Sequence, residues 1–466
     1  MDCRDSALFT GVDEASCENM LRCFSAYEQR FSAGQTILTC GQQQDMIGVL
    51  LSGSAALLRL HADGNRTVLE SMDEGSVFGE ELAFTGFRDG SALIECREDC
   101  RVIFMRYDQI TKRCENACAC HSQVVTNLFQ LLSKKSLHLS RRIEVLACED
   151  TILRRGSPDT EDIKYGFEGG RVVKIGNTYH MITSEMVGDP YCVRMRTGYW
   201  TSENGTDWRR RATIRESDAD FTGASQRAAI WGPMMVYHKK DKRWHLFYVC
   251  YKALPQQPDV NNLNFDGVIQ HAVSDVKGIE GIGGPYTDRE ILMRYDENPD
   301  PWEGHQGVDS FFPYRIGKQW YALYGSATTQ QMSTCRWMVG MARADRIEGP
   351  WTRMSELNPV GLESFAENPI VMRLENGVYI AIVDGGPWVD KLGYTLSWDG
   401  VHWSKLRHID IEPVVKKWWT ALRTPISLIK EKDGTYTMFF TAFKDYDGLS
   451  YGVVSKLKLK LTFLDK

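Results

Sequence analysis

The chain has 466 residues, which is too long for one ordinary domain and predicts two or three. A hydrophobic content of 43% and a charged content of 25% are typical of globular proteins and exclude wholesale disorder and fibrous architectures. The formal net charge of −6 argues against a general surface for nucleic acids or anionic membranes, so we expect neither as a partner.

The sequence predicts a cytoplasmic protein. It contains no apolar run of about eighteen residues, the length that a transmembrane helix requires. The first residues, Met1–Asp5, have neither the basic nor the apolar region of a secretory signal. In the cytoplasm the thirteen cysteines favour reduced thiols over a disulfide framework.

Composition divides the chain near residue 150. Ten of the thirteen cysteines precede this point, and all thirteen tryptophans follow it. The first part has 15 basic and 22 acidic residues, and the rest has 40 and 39. We therefore predict a first domain over 1–150, a polar linker over 151–163 that contains Gly156-Ser157-Pro158, and a second domain over 164–466.

The first domain reads as short strands broken by turns, followed by a long helix. A strand pair with a glycine bend is predicted over Val49–Leu58, and Asp63-Gly64 has the residue types of a tight hairpin turn. The helix is predicted from about His121 to Ala147.

The predicted helix has an apolar stripe at three-, four- and seven-residue spacings. Its members are Val125, Leu128, Leu132, Leu139, Ile143 and Leu146. The stripe fits two alternatives equally well, pairing with a second copy in a homodimer or packing against the domain's own strands.

Several motifs of the first domain resemble the effector domain of the Crp/Fnr family of cyclic-nucleotide-binding-type regulators. The resemblance rests on Phe31–Gln35, the strand over Gly48–Leu58, Asp63-Gly64, Gly75–Glu80 and the long helix. It implies an N-terminal β-roll (a double-stranded β-helix).

Two departures from that family bear on function. The family's phosphate-binding Arg-Ser or Arg-Thr pair is replaced by Gly90-Ser91-Ala92, which argues against cyclic AMP binding. No helix-turn-helix pattern follows Asp150, so we expect no DNA binding.

The spacing of Cys114, Cys118 and Cys120 fits no standard ligand pattern, and no metal or cofactor is predicted.

The second domain contains five internal repeats of an apolar strand, a Gly or Asp-Gly turn and an aromatic strand. Repeats of this length, about 55 to 80 residues from start to start, suit four-stranded blades. They predict a mainly β fold in which a five-bladed β-propeller follows the β-roll. The residues that open the repeats are Glu168, Trp231, Asp309, Glu367 and Arg423.

Equivalent positions of a propeller's innermost strands face one another around the central channel. Three of the five opening residues are carboxylic acids, and their mutual repulsion would raise at least one pKa while Arg423 holds another group ionised. General acid and general base catalysis need this separation of pKa values. We therefore predict Glu168, Asp309 and Glu367 as catalytic residues.

Aromatic residues beside these strand starts indicate a sugar ligand, because ring faces pack against the apolar faces of sugars. The predicted substrate-binding residues are Trp231, Phe311, Arg423, Trp388 and Trp419.

The order Glu168, Trp231-Gly232-Pro233, Asp309, Glu367 resembles glycoside hydrolase family 43 and its five-bladed relatives, as does Gly349-Pro350-Trp351 at an outer strand. The resemblance implies that Glu168 is the base, Asp309 a tuning residue and Glu367 the acid. The sequence departs from this family at two positions. Glu168 stands where the family has an aspartate as the base, and its side chain is one methylene longer. Arg423-Thr424-Pro425 stands where the family has glycine–histidine, so the family's central ion site has no support in this sequence.

Together these observations favour a glycoside hydrolase that acts on short oligosaccharides of the arabinoside or xyloside type, with inversion implied by the resemblance. The alternative is a non-catalytic, saccharide-sensing regulator that uses the Crp/Fnr-like domain without a DNA-binding part. A third hypothesis is that the two halves come from separate genes, in which case neither informs the other.

Overall fold

The structure is a computed structural model of the chain. It describes residues 6–39, 46–60, 66–79, 92–112, 119–139, 142–255, 263–327, 336–360, 366–385, 391–411 and 414–462. The fold is mainly β, and the chain divides into two compact units, the first ending at Arg142 and the second beginning at Ile143. Among the described helices, none has the length and apolarity needed to cross a membrane.

In the part of the first unit that the structure describes, there are two four-stranded sheets and three α-helices. One sheet has the order β1 (Tyr27–Phe31), β8 (Cys100–Arg106), β3 (Met46–Ser52), β6 (Val77–Phe78). The other has the order β2 (Thr36–Thr39), β7 (Ala92–Cys96), β4 (Ala55–Leu60), β5 (Arg66–Met72). The helices are α1 (Glu14–Cys23), α2 (Tyr107–Thr111) and α3 (Ala119–Leu139), and a 3₁₀ turn covers Ala7–Phe9.

The two predicted strands and the bend at Gly53 between them are confirmed, as β3 and β4, but the two strands lie in different sheets and do not pair with each other. The predicted hairpin turn at Asp63-Gly64, the Gly90-Ser91 segment, Cys114 and Cys118 lie outside the described residues.

The first half of α3 packs on its own unit. Val124 and Leu128 are completely buried in a core that also contains residues of α1 and β3. The side chain of Asn127 donates hydrogen bonds to the carbonyl oxygens of Leu8 (3.0 Å) and Thr10 (2.9 Å). These contacts support the second alternative for this part of the helix, whereas pairing with a second copy stays a prediction.

The prediction that the helix continues to Ala147 is wrong. The helix ends at Leu139, and β9 (Arg142–Leu153) follows and pairs with strand β28 (Leu449–Thr462). In β9, Val145 is buried whereas Leu146 is 40% exposed, which is the alternation of a strand. Short apolar segments fit both periods, and here the pairing with β28 decides for the strand.

The described residues of the second unit form β9 and 19 further strands. Three four-stranded sheets follow chain order: β14 (Ala229–His238), β15 (Arg243–Ala253), β16 (Asn264–Ser274), β17 (Tyr286–Met293); β18 (Asp309–Ile316), β19 (Gln319–Ala327), β20 (Trp337–Ala344), β21 (Thr352–Arg353); and β22 (Ala366–Arg373), β23 (Tyr379–Gly385), β24 (Lys391–Ser397), β25 (Arg407–His408). A 3₁₀ turn covers Ile279–Gly283.

The remaining strands form one eight-stranded sheet. Its order is β13 (Arg209–Glu216), β12 (Met195–Ser202), β11 (Thr178–Met186), β10 (Gly166–Ile175), β28, β27 (Tyr436–Tyr446), β26 (Ala421–Lys430), with β9 paired to β28. A single parallel pairing between Gly166 and Gly452 joins the first four strands to the rest.

The five strands that begin the repeats, β10, β14, β18, β22 and β26, share a local irregularity. Each shifts register against the following strand, immediately after Glu168, Trp231, Asp309, Glu367 and Leu422. In the first four strands the next residue has a left-handed backbone: Gly169 (φ 68°), Gly232 (φ 53°), Ser310 (φ 54°) and Asn368 (φ 52°). A bulge of this kind redirects the side chain before it, so the bulges set the direction of the predicted site residues.

Candidate active site

Arg423 joins two of the predicted catalytic carboxylates. Its Nη2 lies 2.7 Å from Oε1 of Glu168, and its Nε donates a 2.8 Å hydrogen bond to the same oxygen. Its Nη1 lies 3.3 Å from Oε2 of Glu367. The two glutamates therefore approach different edges of one guanidinium, as convergence of the repeat starts predicts.

A further carboxyl group, Asp384, completes this cluster and was not found by sequence reasoning. It lies on β23 directly opposite Glu367 in the strand pairing, and its Oδ2 is 3.8 Å from Nη1 of Arg423. Its side chain is completely buried. The signal in the sequence is an aspartate in an otherwise apolar strand, whose position opposite Glu367 follows only from the register.

Asp309 is linked to the cluster through the residues of the bulges. The backbone N–H of Ser310 donates to Oδ1 of Asp309 (2.5 Å), and the Ser310 hydroxyl donates to the side-chain oxygen of Asn368 (2.8 Å). The side-chain nitrogen of Asn368 then donates to both oxygens of Asp384, at 3.3 and 3.2 Å. Polar side chains thus connect β18 with β22 and β23.

Burial dominates the electrostatics of Glu367. It raises the pKa of this carboxyl well above its usual range, and the nearby charges of Asp384, Asp309 and Glu168 raise it further, against the opposing effect of Arg423. Oε2 of Glu367 is buried and makes no hydrogen bond to any described residue, since its contact with Arg423 lacks the angles of one. A protonated Glu367 suits this environment.

The neighbouring aspartates are shifted in the same direction. Burial raises the pKa of Asp384 to about 6, although Arg423 and the hydrogen bonds from Asn368 oppose the shift. Burial also raises the pKa of Asp309, against hydrogen bonds from Tyr251 and Ser310. The cluster can therefore hold a proton on a buried carboxyl group beside the Glu168–Arg423 ion pair, an arrangement suited to acid and base chemistry.

Trp231 is linked by hydrogen bonds to the loop that contains Tyr191 and Cys192. The indole nitrogen of Trp231 donates to the side chain of Asn264 (3.3 Å), which in turn donates to the carbonyl oxygen of Cys192 (3.2 Å). Burial raises the pKa of the Cys192 thiol to about 12, and the charge of Glu168 contributes, so this loop lies within electrostatic reach of the cluster. Tyr191, in the same loop, is 38% exposed and was missed by sequence reasoning.

Two of the other predicted aromatic residues, Phe311 and Trp419, pack in the interior against other aromatic rings. Phe311 is 2% exposed, and its ring packs against Phe247 and Trp351 at centroid distances of 5.4 and 5.0 Å. Trp419 is 5% exposed and packs edge-on against Trp418. Trp388 lies outside the described residues.

A cavity of about 540 Å³ lies elsewhere in the second unit. It is lined by charged residues of the β10–β11 and β26–β27 hairpins, including Lys174 and Glu431. These two form an ion pair at 2.7 Å, and Glu431 also accepts a hydrogen bond from Tyr179 at 2.9 Å. Because these charges satisfy one another, the cavity offers less for catalysis than the carboxylate cluster does.

Comparisons with known proteins find a cyclic nucleotide-binding domain at residues 28–117. A cAMP-activated global transcriptional regulator from Pasteurella multocida is 23% identical over 121 residues, which are 26% of this chain. The chain spans 56% of the length of that relative. The resemblance of the first domain is thereby confirmed.

Solved structures that resemble the chain include glycoside hydrolases. A family 117 glycoside hydrolase from Zobellia galactanivorans is 14% identical with a TM-score of 0.47, over 70% of this chain and 92% of that one. An α-L-arabinofuranosidase from Podospora anserina is 11% identical with a TM-score of 0.46, over 68% of this chain and 96% of that one. At these values the likenesses assign no activity to this chain.

Proposed function

We propose that the second unit is a glycoside hydrolase whose active site is the cluster of Glu168, Glu367, Asp384 and Arg423. The observation that carries the proposal is the pair of glutamates held by one arginine, of which Glu367 is buried with a raised pKa. Acid-assisted cleavage of a glycosidic bond requires one carboxyl group that is protonated and a second that is ionised.

In the proposed reaction Glu367 donates its proton to the glycosidic oxygen as the bond from that oxygen to the anomeric carbon breaks. Glu168 accepts a proton from the water that attacks the anomeric carbon from the opposite face. The products are a free sugar and an alcohol, and the configuration is inverted. Asp309 and Asp384 act by keeping the pKa of Glu367 high.

The substrate is proposed to be a short oligosaccharide of the arabinoside or xyloside type. Glu168 and Arg423 are only 12% and 20% exposed, so the opening to the cluster suits a terminal sugar better than the middle of a long chain. The loop of Tyr191 and Cys192 lies within electrostatic reach of Glu168 and is joined through Asn264 to Trp231, so these two aromatic residues are proposed to offer ring faces to such a sugar.

The proposal includes the architecture. The three four-stranded sheets provide three blades, and the eight-stranded sheet provides two, β10–β13 and β26–β28 with β9, which gives a five-bladed propeller. The five equivalent bulges support this arrangement. The two sheets of the first unit are proposed to form a β-roll.

The test is hydrolysis of a panel of aryl furanosides and pyranosides by the wild-type protein and by Glu367→Gln. We expect turnover of one sugar class and, for the phenyl glycoside of that sugar, a loss of at least a hundredfold in kcat/KM in the variant, because a poor leaving group depends on general acid catalysis. Glu431→Gln is the matched control. Glu431 is also partly buried and paired with a cation, but it lies at the cavity lined by the β10–β11 and β26–β27 hairpins, away from the cluster. Turnover that survives Glu367→Gln unchanged would contradict the assignment.

A second candidate function is saccharide sensing without catalysis. It is favoured by one observation, namely that Arg423 contacts Oε1 of Glu168 twice and so competes with the water that a base must activate. The cyclic nucleotide-binding domain at residues 28–117 suits a regulatory role as well. No turnover across the panel, together with saccharide binding in calorimetry, would select this function.

A further inference from the structure

A second polar cluster lies in the second unit, at the end of β14 remote from Trp231. It consists of His238 at the end of β14, Asp241 in the hairpin turn, His245 on β15, and Glu348 in the segment that precedes β21. One nitrogen or oxygen atom from each lies within 4.8 Å of the others. His238 lies seven positions along β14 from Trp231, roughly 20 Å away, so this cluster is distinct from the proposed active site.

The hairpin explains how the two histidines meet. Val236 pairs with His245, and His238 pairs with Arg243, so the two histidines are diagonal neighbours on one face of the β14–β15 pair. Nε2 of His245 lies 2.9 Å from Oδ2 of Asp241, and Nδ1 of His238 lies 3.2 Å from Oδ1 of the same residue. Glu348 comes from the neighbouring sheet.

The remaining nitrogen of His245 has a buried partner. Its Nδ1 lies 2.9 Å from Nε2 of His271, and the two rings stack with centroids 5.1 Å apart. Nδ1 of His271 lies 3.8 Å from Oε1 of Glu290. A metal-binding histidine ordinarily has its second ring nitrogen held in this way, which fixes the ring and its tautomer. His245 therefore presents a fixed Nε2 to the cluster.

His238 is the second imidazole of the cluster. Its side chain is 13% exposed, and its buried Nδ1 lies 3.2 Å from Oδ1 of Asp241 without the geometry of a hydrogen bond. Its ring is held by edge contacts with His245 and Trp320 at 5.3 and 5.9 Å. A cation placed between this nitrogen and the carboxylate would bind to both atoms.

We propose that His238, Asp241, His245 and Glu348 form a zinc site that ties the β14–β15 hairpin to the segment before β21. Two imidazole nitrogens and two carboxylate oxygens are ligands that Zn²⁺ accepts, and four protein ligands are typical of a structural site. Tetrahedral Zn²⁺ with bonds of about 2.0–2.2 Å places its ligand atoms about 3.3–3.6 Å apart, and the four atoms here lie within 4.8 Å of one another. Ca²⁺ and Mg²⁺ prefer oxygen ligands alone and suit this set less well.

The experiment is a zinc titration of the full chain after treatment with a chelator. Calorimetry, with zinc content measured by elemental analysis after dialysis, is expected to give one Zn²⁺ per chain. Thermal unfolding is expected to shift to higher temperature with Zn²⁺, to return with EDTA, and to be unaffected by Mg²⁺. Failure of the wild-type chain to retain Zn²⁺ would overturn the proposal.

Glu348→Gln is the variant that removes one ligand, because Glu348 is 28% exposed and its replacement by an amide of the same size leaves the packing intact. We expect at least a tenfold loss of zinc affinity, with the Tm of the metal-free protein unchanged, which separates ligand loss from misfolding. His402→Gln, at an exposed histidine paired with Asp399, is expected to bind Zn²⁺ like the wild type. Equal zinc affinity in Glu348→Gln and the wild type would contradict the site.

Discussion

At the scale of single residues, the central cluster of the second unit has more carboxyl groups than its arginine can neutralise. Glu168, Glu367 and Asp384 all approach Arg423, at 2.7, 3.3 and 3.8 Å. Carboxylates gathered around one guanidinium oppose one another's ionisation, so buried Glu367 retains a proton to unusually high pH. This is the property that a general acid needs at neutral pH.

Replacing Asp384 by Asn tests the coupling directly. The charge of Asp384 raises the pKa of Glu367, so its removal lowers that pKa. Because the proposed acid must be protonated, activity is present below its pKa and lost as the pH rises through it. We expect the basic limb of the kcat/KM profile to move to lower pH by about one unit, a shift typical of one nearby charge.

The same profile measured for Glu431→Gln serves as the control and is expected to match the wild type. A basic limb that stays in place in Asp384→Asn would show that this carboxyl group does not tune the acid.

At the scale of elements, the repeats predicted more than the individual residues did. The five strand starts are recognisable because polar and aromatic residues precede Pro or Gly at each of them, and the bulges lie at these positions. The contact of Arg423 with Glu168 and Glu367 was therefore predictable. Asp384 was not, because strand register depends on pairing across the sheet.

Phe311 illustrates a second limit. It follows Asp309 by two residues, so simple alternation predicts that both face the same side of the strand. The extra residue of the bulge, with Ser310 in a left-handed conformation, breaks this alternation. The ring of Phe311 then packs in the interior against Phe247 and Trp351.

The bulge of β10 gives a prediction for backbone substitution. A Cβ at Gly170 (φ 123°) would lie 2.2 Å from the carbonyl oxygen of Ile182, whereas one at Gly176 (φ 63°), in the following turn, meets nothing within 4 Å. Gly176→Ala should cost about 1–2 kcal/mol from backbone strain alone. Gly170→Ala adds a backbone clash and should cost about 4 kcal/mol or more.

Urea denaturation of the two variants measures this difference in the free energy of unfolding. Similar losses in both would mean that the bulge tolerates a side chain and that the close approach to Ile182 is not needed for stability.

At the scale of the whole molecule, the boundary drawn from composition at residue 150 falls within β9. Side chains of β9 and β28 also contact each other, in addition to the backbone pairing of the two strands. Lys456 lies 3.1 Å from the carboxylate of Glu149, and the hydroxyl of Ser455 donates to the Glu149 carbonyl oxygen at 2.6 Å. Leu153 is completely buried. Composition could not reveal that residues 143–153 belong to the second unit, because β9 is polar apart from the few side chains that pack inward.

Two fragments test the role of β9. A fragment of residues 143–466 retains β9 and is expected to unfold cooperatively with a Tm close to that of the second unit in the full chain. A fragment of residues 164–466 lacks it and leaves an edge of β28 unpaired, so we expect a lower Tm and aggregation. Equal Tm values and solubility for the two fragments would contradict a stabilising role for β9.

In the proposed reaction Glu367 protonates the leaving group. The most direct test compares two aryl glycosides of the sugar that the panel identifies. One has dinitrophenol as a good leaving group, and the other has phenol as a poor leaving group. Only the poor leaving group needs a proton, so Glu367→Gln should reduce kcat/KM by at least a hundredfold for the phenyl glycoside and by less than tenfold for the dinitrophenyl glycoside. Equal losses for both substrates would contradict the assignment of Glu367 as the acid.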